Sequence, residues 1–183
     1  GPHGFRANRK SRGSGLPLVT LSPSSYNIHS SPSLENAPMS ATQDLAQHIA
    51  AIKADALPDW VFHEAKRTLV NILAVSISAQ NAAPVRALTD WASAEGAKPR
   101  ATVVASGLRT SPTIAALVNG YMAHIQDYDD THFPTVIHPT APVWPAVLAL
   151  AEDIGASGRD ALAAFAIGAE VACRVSMSIH PWH

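Results

Sequence analysis

Between His124 and His138 the sequence sets three carboxylates, Asp127, Asp129 and Asp130, among three imidazoles, His124, His132 and His138. The 183-residue chain has 14 acidic residues and 9 histidines in all, so this short window is strongly enriched in both. Carboxylates this close repel one another unless imidazole, a metal, a proton or hydrogen-bond donors offset them. Groups that can trade protons, set between apolar helices, are the usual material of an acid–base site. His124 and Asp127 are three apart at a helix end and can share a face, as can Asp127 and Thr131 if the helix continues one more turn. Asp129, Asp130, His132 and His138 can converge from a loop that Pro134 and Pro139 stiffen.

Three readings of this window stand on the residues alone. The donors suit zinc, manganese or iron, but no HExxH, DDxxD or EF-hand pattern is present, and no metal is assigned. Metal-free acid–base chemistry would use a carboxylate or imidazole to take a proton from carbon or give one to a leaving oxygen. Or the acids simply cap helix ends and solvate a turn. A nucleophile elbow, a phosphate-binding loop and a dinucleotide fingerprint are all missing from the sequence, which weakens hydrolase, nucleotidase and dinucleotide-enzyme readings. Cys173 is the single cysteine; it lies in an apolar helical pattern and reads as a buried packing residue. Arg100, Arg109 and Arg174 could meet substrate carboxylates, but arginines mostly occupy solvated faces, and none is assigned.

The elements that must position this window read as helices. Ser40 or Thr42 caps a first helix with Leu45, Ile49 and Ile52 inward, ending near Leu57 and Pro58. Pro58 and Asp59 open a second of about 20 residues, carrying Phe62, Ala65, Leu69, Ile72 and Leu73 at helical spacing. A third covers 84–95, with Val85, Leu88 and Trp91 or Ala92 inward and Gly96 beyond its end. Residues 101–105 form the one strand candidate. Thr110 or Ser111 with Pro112 then opens a helix whose inward side is Ile114, Leu117, Val118, Tyr121 and Ile125, and which runs into the acidic window. Pro142 and Pro145 fit the start of a helix carrying Val147, Leu148 and Ala151 to Gly155. Ser157 caps a last helix that is apolar on nearly all sides, so it is expected to be covered on nearly all sides. The fold class is mainly α, a helical bundle with at most one short strand.

A formal net charge of -1 offers no general attraction to nucleic acid or anionic lipid. The apolar runs 69–79 and 161–169 fall short of the roughly 20 residues a membrane span requires, so neither nucleic acid nor membrane is an expected partner. Residues 1–38 are rich in serine and proline, with Arg6, Arg9, Lys10 and Arg12 opposed only by Glu35. They are expected to be disordered, either as an organelle-targeting leader or as an extension foreign to the mature protein. The expected compartment is the cytoplasm, or the mitochondrial matrix if the leader is genuine.

The order of residues carries a resemblance. Ala115-Ala116-Leu117-Val118-Asn119-Gly120, then His124, then Asp127-Tyr128-Asp129-Asp130-Thr131-His132, then His138-Pro139 and Ser157-Gly158-Arg159-Asp160-Ala161-Leu162, resembles the MmgE/PrpD family. That family includes 2-methylcitrate dehydratase and cis-aconitate decarboxylase. The resemblance runs from about Leu45 onward. It implies a large all-helical domain followed by a smaller α+β lid, a homodimer, and no cofactor, iron–sulfur cluster included. It implies elimination of water or carbon dioxide from a small polycarboxylate such as 2-methylcitrate or cis-aconitate. By the same resemblance Asp127 and His138 are catalytic and Thr131 binds substrate. The sequence departs from the pattern at His132, where several members have Trp. In similar proteins a further active-site histidine, basic and tyrosine residues and the lid come later than His183. Residues 39–183 are therefore expected to be the N-terminal part of the helical domain, inactive alone. The rival expectations are a non-catalytic helical dimerisation module and a metal-dependent hydrolase or lyase.

Overall fold

Local capping chemistry sets most of the helix ends. The computed structural model describes residues 40–180, and the expected leader over 1–38 lies outside them. Two compact units divide the chain at residues 48 and 49. The described part of the first begins helix α1 (Ala41–Ala51). Ser40 Oγ accepts the Gln43 N–H at 3.3 Å while Gln43 Oε1 accepts the Ser40 N–H at 2.9 Å, a reciprocal capping box. No residue of α1 is buried, and it stops at Ala51, short of the expected Leu57, with a 3-10 turn at Ala54–Ala56 after it.

In the second unit, α2 (Asp59–Ala79) starts directly after Pro58, and α3 (Ala83–Ala94) follows with Val85 and Ala92 buried. The expected strand is cut to β1 (Ala101–Thr102), because the chain turns back through Ala105 and Gly107, both at positive φ, into an unexpected β2 (Arg109–Thr110). Ser111 Oγ accepts the Ile114 N–H at 3.4 Å and caps α4 (Pro112–His124). α5 (Thr140–Ile154) ends at left-handed Gly155, and α6 (Gly158–Ile179) is capped by Ser157, whose Oγ accepts the Asp160 N–H at 3.1 Å. The mainly α expectation holds: six helices and one short hairpin make up the described residues.

α4 packs against α2, α3 and α5, and α6 packs against α2 and α5. The inward face of α4 corrects the sequence reading. Leu117 and Tyr121 are exposed, while Ala115, Val118, Asn119, Met122 and Ala123 are buried. A helix apolar on most sides has little phase in its hydrophobicity, and its small residues face the neighbours that approach most closely. Asn119 then satisfies both ends of its buried amide on the hairpin: Oδ1 accepts the Val104 N–H at 2.8 Å, and Nδ2 donates to the Thr102 carbonyl at 2.9 Å. Trp144, fully buried, ties three helices together. Its ring stacks on Phe165 of α6 at 4.3 Å, and its Nε1–H donates to Thr68 Oγ1 of α2 at 3.0 Å.

α6 corrects two expectations. It is not covered on nearly all sides, since only Ala163, Phe165 and Ser176 are buried while Val175, Met177 and Ile179 are exposed. At 22 residues it is also long and apolar enough to cross a bilayer, although the apolar runs read from sequence are shorter. Its close approach to α5 is made at Gly168, where a Cβ would lie 2.8 Å from Val143 Cγ1. Cys173 is half-buried, not fully buried as expected.

Candidate active site

The site begins where α4 stops. Asp127 adopts left-handed φ of 55°, and its N–H donates to the His124 carbonyl at 2.9 Å, so the helix ends here. Aspartate tolerates this conformation better than most residues. The further helical turn that would have stacked Thr131 over Asp127 does not form. The reversal leaves the Asp127 side chain 76% exposed and carries the chain on to Asp129, whose side chain is fully enclosed.

Four side chains converge. His124 Nδ1 lies 3.1 Å from Asp129 Oδ1 and 3.0 Å from Oδ2. The His138 ring lies between two carboxylates: Nδ1 is 3.5 Å from Asp129 Oδ2, and Nε2 is 3.7 Å from Asp127 Oδ1. The two imidazoles meet edge to face, with centroids 4.9 Å apart and planes at 61°. The arrangement brings together the expected pair, Asp127 and His138, and adds Asp129 and His124 as the groups behind them.

The other members of the window do different work. Asp130 Oδ1 accepts the Thr140 N–H at 3.1 Å, capping the start of α5, so the helix-cap reading is right for this carboxylate. This explains why α5 begins at Thr140 and not at Pro142 or Pro145. His132 was expected to converge with the others but turns into its own loop. Its Nδ1 pairs with Thr135 Oγ1 at 2.7 Å and its N–H donates to the Ile137 carbonyl at 2.8 Å, with Val136 at φ 57° closing the turn. That closure delivers His138 immediately after it. Thr131 is half-buried, and its hydroxyl has no hydrogen-bond partner among the described residues.

A groove of about 310 Å³ borders the cluster, lined by Glu64, Arg67, Thr68 and Asn71 of α2 and by Tyr128, Asp129 and Asp130. Its cation is Arg67, 2.7 Å from Glu64, a residue the sequence reading did not single out. Helical spacing at 64, 67, 68 and 71 was the available signal, since it puts these polar residues on one face. The arginines weighed from sequence are engaged elsewhere: Arg100 with Asp153 at 2.8 Å, Arg109 with Glu152 at 3.3 Å, and Arg174 with Glu170. Glu152 stands about 18 Å along α5 from Thr140, at the far end from the cluster.

His124, Asp127, Asp129 and His138 each offer a donor atom within 4.8 Å of the others, which suits one divalent ion by donor type. A single ion could take only one nitrogen of His138, whose two ring nitrogens face different carboxylates, Asp129 at 3.5 Å and Asp127 at 3.7 Å.

Residues 43–183 match the MmgE/PrpD N-terminal domain. The chain is 32% identical over 141 residues to cis-aconitate decarboxylase of Mus musculus, and 32% identical over 141 residues to that of Homo sapiens. Each match takes in 74% of this chain but 29% of the relative, so the chain spans less than a third of those relatives' length. With the ordered run from Asn119 to His138 folded onto a helical scaffold and the domain matched from residue 43 onward, the chain belongs to the MmgE/PrpD family.

Proposed function

We propose that the chain supplies the acid–imidazole cluster of a lyase that eliminates water or carbon dioxide from a small polycarboxylate. The observation that carries this reading is the His138 ring, set with Nε2 3.7 Å from Asp127 and Nδ1 3.5 Å from Asp129. In a dehydration, a base takes the proton from carbon beside a carboxylate. The C–H electron pair becomes the new double bond, and the hydroxyl on the neighbouring carbon leaves as water with a proton from an acid. In a decarboxylation, the electrons of the broken C–C bond pass into the remaining unsaturated acid and are quenched by a proton. Both need a group that takes or gives a proton on demand, and the roles fall to His138 and Asp127. Thr131, with its hydroxyl uncommitted, would hydrogen-bond a substrate oxygen. Arg67 in the adjoining groove offers a cation to a carboxylate.

Cis-aconitate is the first substrate to test, since the matched relatives are cis-aconitate decarboxylases, and 2-methylcitrate the second. The reading concerns a whole protein to which this domain contributes, because the chain spans 29% of those relatives. Proton removal from carbon favours a site closed to water, and Asp127 is 76% exposed. Further chain or the second copy of a homodimer would provide that cover.

The test is turnover of cis-aconitate and 2-methylcitrate by the whole protein, following products lighter by carbon dioxide or by water. His138→Ala and Asp127→Asn should each lower kcat by about 10²–10⁴-fold with helix content intact. Unchanged turnover in His138→Ala would overturn the assignment.

A further inference from the structure

We infer that Asp129 is a positioning residue, whose enclosed carboxylate holds His124 and His138 as Nδ1–H imidazoles and so leaves Nε2 of His138 as the bare nitrogen facing Asp127. The inference rests on the reading of His138 as a proton-handling group and says how that group is kept in its working form.

A carboxylate removed from water must be met by donors. The Asp129 side chain has no solvent exposure, and the polar atoms against it are ring nitrogens: His124 Nδ1 at 3.0 and 3.1 Å and His138 Nδ1 at 3.5 Å. At His124 a lone pair would point at the carboxylate and be repelled, whereas an N–H donates to it; at His138 the 3.5 Å contact is a charge attraction and not a hydrogen bond. The proton therefore sits on Nδ1 of His124, and in His138 the unscreened charge of Asp129 favours it on Nδ1 over Nε2, which faces the water-screened charge of Asp127. His138 Nδ1 is itself shut off from solvent and has no hydrogen-bond partner, so the Asp129 charge 3.5 Å away is what attracts its proton. Turning the His138 ring over would exchange that nitrogen for a carbon. The edge of His124, packed at 4.9 Å, opposes the movement.

The consequence is a division of labour between two carboxylates only two residues apart in sequence. Asp129 is dry and fixes the tautomer, as the orienting acid does in other base–imidazole pairs. Asp127 is wet, 76% exposed, and lies 3.7 Å from the nitrogen left without a proton. Two carboxyl groups in such different surroundings are the usual sign of two different roles.

The experiment is a long-range ¹H–¹⁵N correlation of the histidine side chains in the full chain at about pH 8.5, where imidazole is ordinarily neutral. His124→Gln and His138→Gln assign the signals. The expected result is a protonated Nδ1 and a bare Nε2 in both rings. Asp129→Asn should let both drift toward the Nε2–H form that free imidazole favours, and Asp129→Glu should restore part of the pattern. An Nε2–H or doubly protonated His138 in the unmodified chain would overturn the inference, as would an unchanged pattern in Asp129→Asn. Should Asp129→Asn fail to fold, the pattern of the unmodified chain decides by itself. Turnover by the whole protein is the separate readout. Asp129→Asn is expected to lower kcat with little change in KM. The inferred tautomers combined with indifference to His138→Ala would remove the catalytic reading and leave the tautomer inference standing.

Discussion

Replacing Asn119 by alanine should cost the fold about 2–6 kcal/mol. The residue is buried, and its amide accepts the Val104 N–H at 2.8 Å and donates to the Thr102 carbonyl at 2.9 Å, clamping α4 to the hairpin. Each of the two partners left dry and unpaired costs about 1–3 kcal/mol. The upper part of the sum assumes that neither partner is rehydrated. Against a usual total of about 5–15 kcal/mol the loss is large. Urea unfolding followed by helix circular dichroism measures it, and a loss below about 1 kcal/mol at unchanged slope would refute the clamp. Asn119→Asp sharpens the test because it keeps the shape. The new carboxyl can still accept from Val104 N–H, but when ionised it sets an oxygen against the Thr102 carbonyl oxygen. Burial and that repulsion raise its folded pKa above the unfolded value. Its favourable contribution is therefore present at low pH and lost as pH rises through the folded pKa. The penalty relative to the unmodified chain should grow between about pH 4 and about pH 7, a range above the ordinary Asp value. A penalty flat across that range would sink the argument.

Two further predictions follow from packing and burial. Gly168→Ala places a Cβ 2.8 Å from Val143 Cγ1; overpacking of about 1–3 kcal/mol outweighs the gain of about 1 kcal/mol in helix propensity. In a Val143→Ala background the same change should become stabilising, and a double-mutant cycle with no coupling would refute the close approach. Burial pushes the Cys173 thiol above its usual range, with Glu170 and Asp130 adding to the effect. Alkylation by iodoacetamide near about pH 8 should therefore be slower than for an unfolded cysteine and should recover in urea; equal rates would contradict the assignment.

The helix starts were legible because capping is decided within a few residues. Pro58, Ser111 with Pro112, and Ser157 stand at or beside the starts of α2, α4 and α6, and Gly155 closes α5. The inward phase of α4 was not legible. Its sequence offers apolar residues on several sides, and the side that is buried depends on which neighbours arrive. The window from His124 to His138 stood out by composition, but composition could not divide its members. His132 closes a local turn and Asp130 caps α5, while Asp127 and Asp129 flank one imidazole.

The sequence by itself determined the helical class, most helix starts, and the stretch in which acid–base residues concentrate, because periodicity and capping are short-range properties. Tertiary structure decided which carboxylate is dry and which is wet, and that Arg67, not Arg100, Arg109 or Arg174, borders the cluster. Burial and charge pairing depend on neighbours supplied by other elements. α2 lines the groove at Asp129, and the loop closed by His132 and Ile137 delivers His138 to it, so these distinctions exist only once the helices have packed.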